Sequence, residues 1–394
     1  MDRAEQEQLL QDVEAFCQEI RPIEELCYVE HRFNDQVIPL AKKYNLLGMP
    51  VPKEYGGRGA DAVTYARALA RINREGTGVR TFFSGHTSIG QAPVLAWGNA
   101  EQKQRYLPAS VRGEKIFAFG LTEPEAGSNP REMQMTYRRQ GDQFLLNGVK
   151  YLISNGGIAD VIVTFAYPAE VPAGRPRRIS AFLVDTRGPG FRSEDLLAKV
   201  GMPTCNTAMF ELHDYAVPAA NLLGEEGNGF RIAMTTLITG RLSVAAGCLG
   251  VIEDCLHEVV AYAKERHQHG KPIAKHQLVQ EHIAAIEMHR VATEALVLKA
   301  AAAKDAADAE PGNAALRSAV ELLAAQAKLF AANAAWDAAD RAVQVFGGRG
   351  WSELDRPGRH LQDVRVCPIY EGTDEILKLK VAAAVLGKEY EAYQ

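Results

Sequence analysis

The sequence predicts an α+β multidomain fold, helical at both ends and β in the middle, and three observations carry that expectation. Apolar residues recur at three- and four-residue spacing from residue 4 to about 113. Between about 114 and 222 they gather into short runs rich in β-branched and aromatic residues. After "LLGEEGNGF" the helical spacing returns and holds to the end.

In chain order, "EQLLQDVEAFCQEI" and "VTYARALARI" read as amphipathic helices, separated by Pro/Gly clusters such as "GMPVPKEYGGRG". The β unit follows in "DQFLLNGVKYLI", "DVIVTFAY", "RISAFLVDT" and "AMFELHDYAV", with turn signals between, including the Pro-rich "YPAEVPAGRPRR". We expect its strands to be antiparallel. Residues 228 to 266, 274 to 306 and 313 to 345 each read as one long helix. The alanine-rich 300–340 carries Leu, Phe and Trp at helical spacing, the pattern of a closely packed bundle, because small residues let helices approach. Domain boundaries are expected at 1–113, 114–224 and 225–394.

Composition excludes several function classes. A net charge of −5 leaves no basic excess for phosphate contacts, so no nucleic acid is expected. The six cysteines show no CxxC pair or regular spacing, which reads as reduced thiols without a zinc or other metal site. The N-terminus is charged and amphipathic and lacks a secretory apolar core. No window approaches 18 uncharged apolar residues, so no membrane insertion is expected and a cytoplasmic setting is. "GEEGNG" and "FGGRG" lack the spacing and strand context of a dinucleotide-binding turn, and GxxxxGK[ST], HExxH and GxSxG are absent.

Polar groups collect instead at segment junctions. "LTEPEAGSN" (121–129) places Thr122 and Ser128 around a Pro/Gly turn. Its amides could bind an anion or a ring carbonyl, or the stretch could be a plain capping turn; residue type alone leaves both open. "ISNGG" reads most simply as a hairpin turn, since Asn-Gly supplies positive φ. "RHQHGKP" (266–272) reads as helix termination with dipole-compensating cations. "CPIYEGTDEIL" (367–377) sets Glu371 between an aromatic ring and a glycine.

Taken in this order, "FAFGLTEPEAGSN", "GVKYLISNGG", "GEEGNGF", "RHQHGKPIAKHQLVQ", "AVQVFGGRGW" and "IYEGTDEI" resemble motifs of the acyl-CoA dehydrogenase flavoproteins, over residues 30 to 390. The resemblance implies an N-terminal helical domain, a central β-barrel-like domain and a C-terminal four-helix bundle. It also implies FAD as cofactor, an acyl-CoA substrate, electron-transfer flavoprotein as redox partner and a homotetramer built as a dimer of dimers. The activity implied is α,β-dehydrogenation to a trans-2-enoyl-CoA, the β hydride passing to flavin N5. A same-fold oxidase, or a biosynthetic member acting on a carrier-protein or dicarboxylyl thioester, is the alternative.

Residue by residue, the resemblance sets Phe119, Leu121 and Thr122 against the flavin, Ser128 on its phosphate or the CoA chain, and Ser154 near the reactive nitrogen. Arg266, Gln268, Gln344 and Gly348 would reach the FAD of a neighbouring subunit, and Thr373 and Glu375 would touch the cofactor. Arg241 would lie near CoA. Glu371 matches the catalytic base. Some branches carry the base just before the arginine of "TGRLSVAAG", where this chain has Gly240, which cannot act. A carboxylate buried against the flavin and Tyr370 loses hydration, which should raise its pKa to about 6–7. Gly372 permits close approach of the ligand. Hydrogen bonds to the thioester carbonyl from the Glu371 N–H and a flavin ribose hydroxyl would stabilise enolate-like charge.

Several positions depart from the family pattern: Leu152 for a flavin-shielding Trp, His269 for an aromatic, Pro203 and Cys205 in "GMPTC", and Asn129 for Asp. Arg80 stands where glutaryl-CoA dehydrogenases hold a distal carboxylate, although the acid that accompanies it there is Asn73 here. Arg80 could instead pair with Glu75. Phe82 and Phe83 are expected to bound a short or medium acyl pocket.

Overall fold

The computed structural model describes residues 1–171, 174, 176–390 and 392. The Pro-rich turn expected at 167–178 therefore falls partly outside the described residues.

Helix α1 (Arg3–Val29) opens on a capping box, in which Asp2 and Glu5 satisfy each other's backbone amides. It buries the stripe Leu9, Val13, Phe16, Cys17 and Ile20. α2 (Val37–Lys43), α3 (Ala62–Asn73) and α4 (Thr77–Phe83) follow. α4 runs without a break through a π-helical stretch (Ser84–Gln91) into α5 (Ala92–Trp97). A π-helical stretch of this kind adds residues per turn and is frequent at functional sites. α6 (Ala100–Val111) closes this part.

The middle part contains β1 (Phe117–Gly120), β2 (Thr136–Gln140), β3 (Gln143–Ser154), β4 (Val161–Pro168), β5 (Ser180–Asp185), β6 (Phe191–Asp195), β7 (Thr207–Pro218) and β8 (Leu222–Leu223). They are ordered β6-β7-β3-β2-β4-β5-β8, with β1 beside β4. Two sequence expectations are corrected here. The sheet is mixed, because β1 and β2 each pair with β4 in parallel. "ISNGG" is a turn but not a hairpin: β3 pairs with β2 and β7, not with β4. Asn155 does adopt positive φ (62°), yet its Nδ2 donates to Phe82 O (3.0 Å) and its N–H to Asn206 O (3.0 Å). The turn thus ties the sheet to the helical layer.

The last part contains α7 (Gly229–Glu265), α8 (Gln277–Ala309), α9 (Ala314–Phe346), α10 (Arg356–Val364) and α11 (Asp374–Leu386). The three long helices fall within a few residues of their expected spans. α9 buries Ala331, Ala332, Ala335, Ala338 and Ala339, which brings α7 and α8 close. α7 is long and apolar enough to cross a membrane by composition, but 78% of its most apolar window is buried inside the protein. A helix apolar on all sides is what the centre of a bundle requires.

One hydrophobic core runs through both helical parts, from Phe16, Leu69 and Phe83 to Val251, Ile286 and Ala335. Smaller cores lie within the sheet and between the sheet and α5–α7. All six cysteines are buried free thiols.

Candidate active site

The loop between α10 and α11 carries Tyr370, Glu371 and Gly372. Glu371 has φ 56° and Gly372 φ 99°, so two successive residues lie in the left-handed region. For a residue with a Cβ that conformation is strained and needs outside support. Arg241 of α7 supplies it by donating from Nε to Glu371 O (3.0 Å), and Lys328 of α9 by donating from Nζ to Gly372 O (2.8 Å). Arg80 of α4 donates from Nη2 to Tyr370 Oη (2.6 Å), and Asp374 N–H to Pro368 O (2.9 Å).

The Glu371 side chain, by contrast, is left alone. Although the residue keeps some surface, Oε2 is closed off from solvent and, among the described residues, has no hydrogen-bond partner. Its carboxyl lies against Gly240 of α7, where an added Cβ would fall 2.5 Å from Cδ. Burial raises its pKa to about 7, against the pull of the Arg241, Arg80 and Lys328 charges. A nearly neutral-range carboxylate with free lone pairs is chemically equipped to accept a proton.

Arg80 is almost fully buried, and its Nε donates to Asn73 Oδ1 (3.1 Å). Its pairing with Glu75 does not occur, because Glu75 is held by Arg21 (2.6 Å) and Arg71. Among the described residues no carboxylate comes within ion-pair distance of Arg80. The expected walls, Phe82 and Phe83, are used elsewhere. Phe83 packs edge-on against Phe16 (5.5 Å) in the helical core, and Phe82 stacks on His86 (6.2 Å). A cavity of about 290 Å³, lined by Tyr65, Leu69, Gln91, Thr239 and Leu242 among others, lies on the neighbouring face of α7. Ser243, also in its lining, bonds to Ser84 Oγ (2.7 Å), one helical turn from Arg80.

α4 and its π-helical continuation link this loop to the end of the sheet: Arg80 meets Tyr370, and Gly85 packs against Ser154 and Asn155. There Phe119 lies in β1, Leu121 and Thr122 in the turn that follows it, and Ser154 at the end of β3. Phe119 packs on Phe165 (5.0 Å), and Thr122 O accepts from Tyr151 N–H (2.9 Å). A register shift in β3 after Lys150 turns Leu152 outward with φ 59° and 55% exposure. In "LTEPEAGSN" the capping reading holds for Asn129, whose Oδ1 accepts from Arg131 N–H (3.2 Å). Among the described residues, however, the hydroxyls of Thr122, Ser128 and Ser154 find no intramolecular partner. Free hydroxyls beside the exposed Leu152 and the half-buried Leu121, together with an orphaned buried carboxylate, fit a flat, polar-edged ring such as isoalloxazine.

Arg266 and Gln268 follow the end of α7 directly, while Gln344 lies in the last turn of α9 and Gly348 just beyond it. All four are exposed, and the two helix ends meet where Tyr262 of α7 stacks on Phe346 of α9 (4.2 Å). Thr373 caps α11, its Oγ1 accepting from Ile376 N–H (3.4 Å), while Glu375 is exposed on the first turn.

Sequence reasoning missed two buried lysines. Lys150 donates to Leu121 O (3.1 Å) and Glu123 Oε1 (2.8 Å), bracing the turn that carries Thr122; Lys328 braces the glutamate loop. Lys328 could have been found, since it occupies the helical face of Ala324, Ala325, Ala331 and Ala335, a core position where a lysine needs a reason.

Family models match along nearly the whole chain: acyl-CoA dehydrogenase N-terminal domain over residues 3–114, middle domain over 118–215 and C-terminal domain over 227–386. An acyl-CoA dehydrogenase of Bacillus subtilis (strain 168) is 40% identical over 369 residues, 94% of each chain. The butyryl-CoA dehydrogenase of Megasphaera elsdenii superposes with TM-score 0.91 at 34% identity, covering 98% of this chain and 100% of that one. A glutaryl-coenzyme A dehydrogenase in complex with glutaryl-CoA superposes with TM-score 0.90 at 32% identity, covering 98% and 96%.

Proposed function

The chain belongs to the acyl-CoA dehydrogenase family of FAD-dependent oxidoreductases acting on acyl-CoA, and from that premise we propose that it oxidises a short or medium acyl-CoA to the trans-2-enoyl-CoA with Glu371 as the base. The observation that carries this is the buried, unpartnered Oε2 of Glu371 beside Gly240. Bound FAD supplies the acceptor for the hydride that leaves the β carbon. Glu371 takes the α proton, and the strained loop holds its carboxylate ready without a competing donor. The Glu371 N–H donates to the thioester carbonyl, where enolate-like charge develops. Phe119, Leu121, Thr122 and Ser154 hold the ring, with Ser128 on the phosphate or the CoA chain, and Thr373 and Glu375 close to the cofactor.

The exposed patch of Arg266, Gln268, Gln344 and Gly348 reaches the FAD of a second subunit in a homotetramer, and electron-transfer flavoprotein takes the electrons in a cytoplasmic setting. Domain limits at 113/114 and 224/225 fit this division of labour. The direct test is Glu371→Gln, which keeps a carbonyl oxygen but cannot act as base. The variant should retain FAD and bind acyl-CoA yet lose anaerobic flavin reduction by at least about a hundredfold. Near-normal reduction would sink the assignment.

A second reading is favoured by Arg80, a buried guanidinium without a carboxylate partner. A buried cation of this kind suits an acyl tail that ends in a carboxylate. If so, Arg80→Ala should slow reduction by glutaryl-CoA far more than by butyryl-CoA, by about two orders of magnitude or more. Equal losses on both substrates would remove the dicarboxylyl reading and leave the simple acyl one.

A further inference from the structure

Lys328 is fully buried on the alanine face of α9, an unfavourable seat for an ammonium. Its nearest carboxylate, Asp374 Oδ1, is 3.6 Å away, and Asp374 is separately bound by Asn333 Nδ2 (2.6 Å). The closer contact of the ammonium is Gly372 O at 2.8 Å. One residue earlier, Arg241 holds Glu371 O. Two consecutive carbonyls of the left-handed turn are therefore tied by cations from two different helices, while the carboxylate between them is tied by nothing.

Taking Glu371 as the base argued above, we propose that Lys328 is its positioning residue: the ammonium on α9 locks the Gly372 carbonyl, and so fixes the turn that aims the Glu371 carboxylate into the space beside Gly240. Lys328 touches no part of the substrate site in this role. It acts through the backbone, and its charge also favours the ionised form of Glu371. The charged groups facing Glu371 are Arg241 of α7, Arg80 of α4 and Lys328 of α9. Those facing Lys328 are Asp374, Glu371 and the exposed Glu375, with the thiols of Cys248 and Cys367 nearby, and Arg241 also senses Glu321 of α9.

The test uses the FAD-loaded protein and the variants Lys328→Met and Lys328→Arg. Since Met takes the facing ammonium away from Asp374, the double variant Lys328→Met with Asp374→Asn keeps the experiment decisive if the single one fails to fold. Hydrogen exchange should speed up by at least about tenfold in the segment 366–377 of the Met variants, with α7, α8 and the rest of α9 unchanged. The acid limb of the anaerobic flavin-reduction profile with butyryl-CoA should move to higher pH, because a positive charge near the base is gone. Arg should restore both readouts at least in part. Wild-type exchange and an unmoved acid limb in the Met variants would overturn the proposal. If the wild-type protein is reduced by no acyl-CoA, it is the reading of Glu371 that fails, and exchange alone decides whether Lys328 holds the turn.

Discussion

At Glu371 every stabilising contact is made by the main chain, and the side chain that would do chemistry is left without a donor. Burial lifts its pKa to about 7, so the ionised fraction grows as pH rises through neutrality, and a rate that needs the carboxylate should climb across the same range. Sequence could name this residue because its neighbours, Tyr370 and Gly372, form part of a specific motif. It could also note that Gly240 leaves the alternative base position empty. What sequence could not reveal is that the same glycine makes the room Glu371 occupies. A Cβ at position 240 would collide with the flexible end of a side chain, which can move aside at little cost to stability. Gly240→Ala should therefore unfold near the wild-type temperature yet reduce its flavin about ten- to a hundredfold more slowly, since a displacement near 1 Å is enough to cost that much. A fully active alanine variant would show that the carboxylate does not need this space.

At the scale of elements, the long helices were legible because their apolar period persists for many turns. α7, α8 and α9 accordingly end within a few residues of expectation. Strand existence was legible for the same reason, but strand neighbours were not. Alternation says which residues face a core, and nothing in it states that β4 runs parallel to β1 and β2 or that Asn155 turns toward Phe82 instead of into a hairpin. The π-helical stretch was equally hidden, since it depends on how Ser84–Gln91 packs and not on a pattern of types. One arrangement emerges only from the assembled elements. The two loops that frame the site are each braced from a neighbouring element by a fully buried lysine: Lys150 of β3 on Leu121 O, and Lys328 of α9 on Gly372 O. Among the described residues each lysine has one carboxylate within ion-pair distance, Glu123 or Asp374, contributed by the loop it braces or the helix that follows. A buried charge of this kind is better explained by the shape it imposes than by the stability it adds.

Across the whole molecule, the first and last helical parts share one core, and the seam between them is closed by buried polar groups as well as apolar ones. Asp254 of α7 bonds Arg356 (2.7 Å) and His360 (2.8 Å) of α10, and Tyr28 of α1 donates to Asp363 (2.9 Å). Glu24 of α1 sits in the same seam, accepting from Asn34 Nδ2 (2.8 Å) and Thr204 Oγ1 (2.5 Å). Burial raises its pKa to about 7, with Asp363 adding to the rise and Arg356 opposing it. The sign follows from proton counts: between about 4.5 and about 7 the folded state holds a proton on Glu24 that the unfolded chain has lost. This group's contribution to stability therefore falls as pH rises through that window and is level above it. His86, buried and lowered to about 4, works in the opposite direction below its ordinary range, so the wild-type profile alone mixes the two. Glu24→Gln isolates the first term. Its amide can still pair with Asn34 and with Thr204, whose hydroxyl can accept instead of donate. Relative to wild type, the variant should gain stability between pH 5 and pH 8, by roughly 3 kcal/mol at most, read as a thermal midpoint difference that grows by a few degrees at fixed protein concentration. A difference that stays constant with pH would mean that Glu24 ionises in the folded protein much as it does in water, and that the seam is wetter than its packing implies.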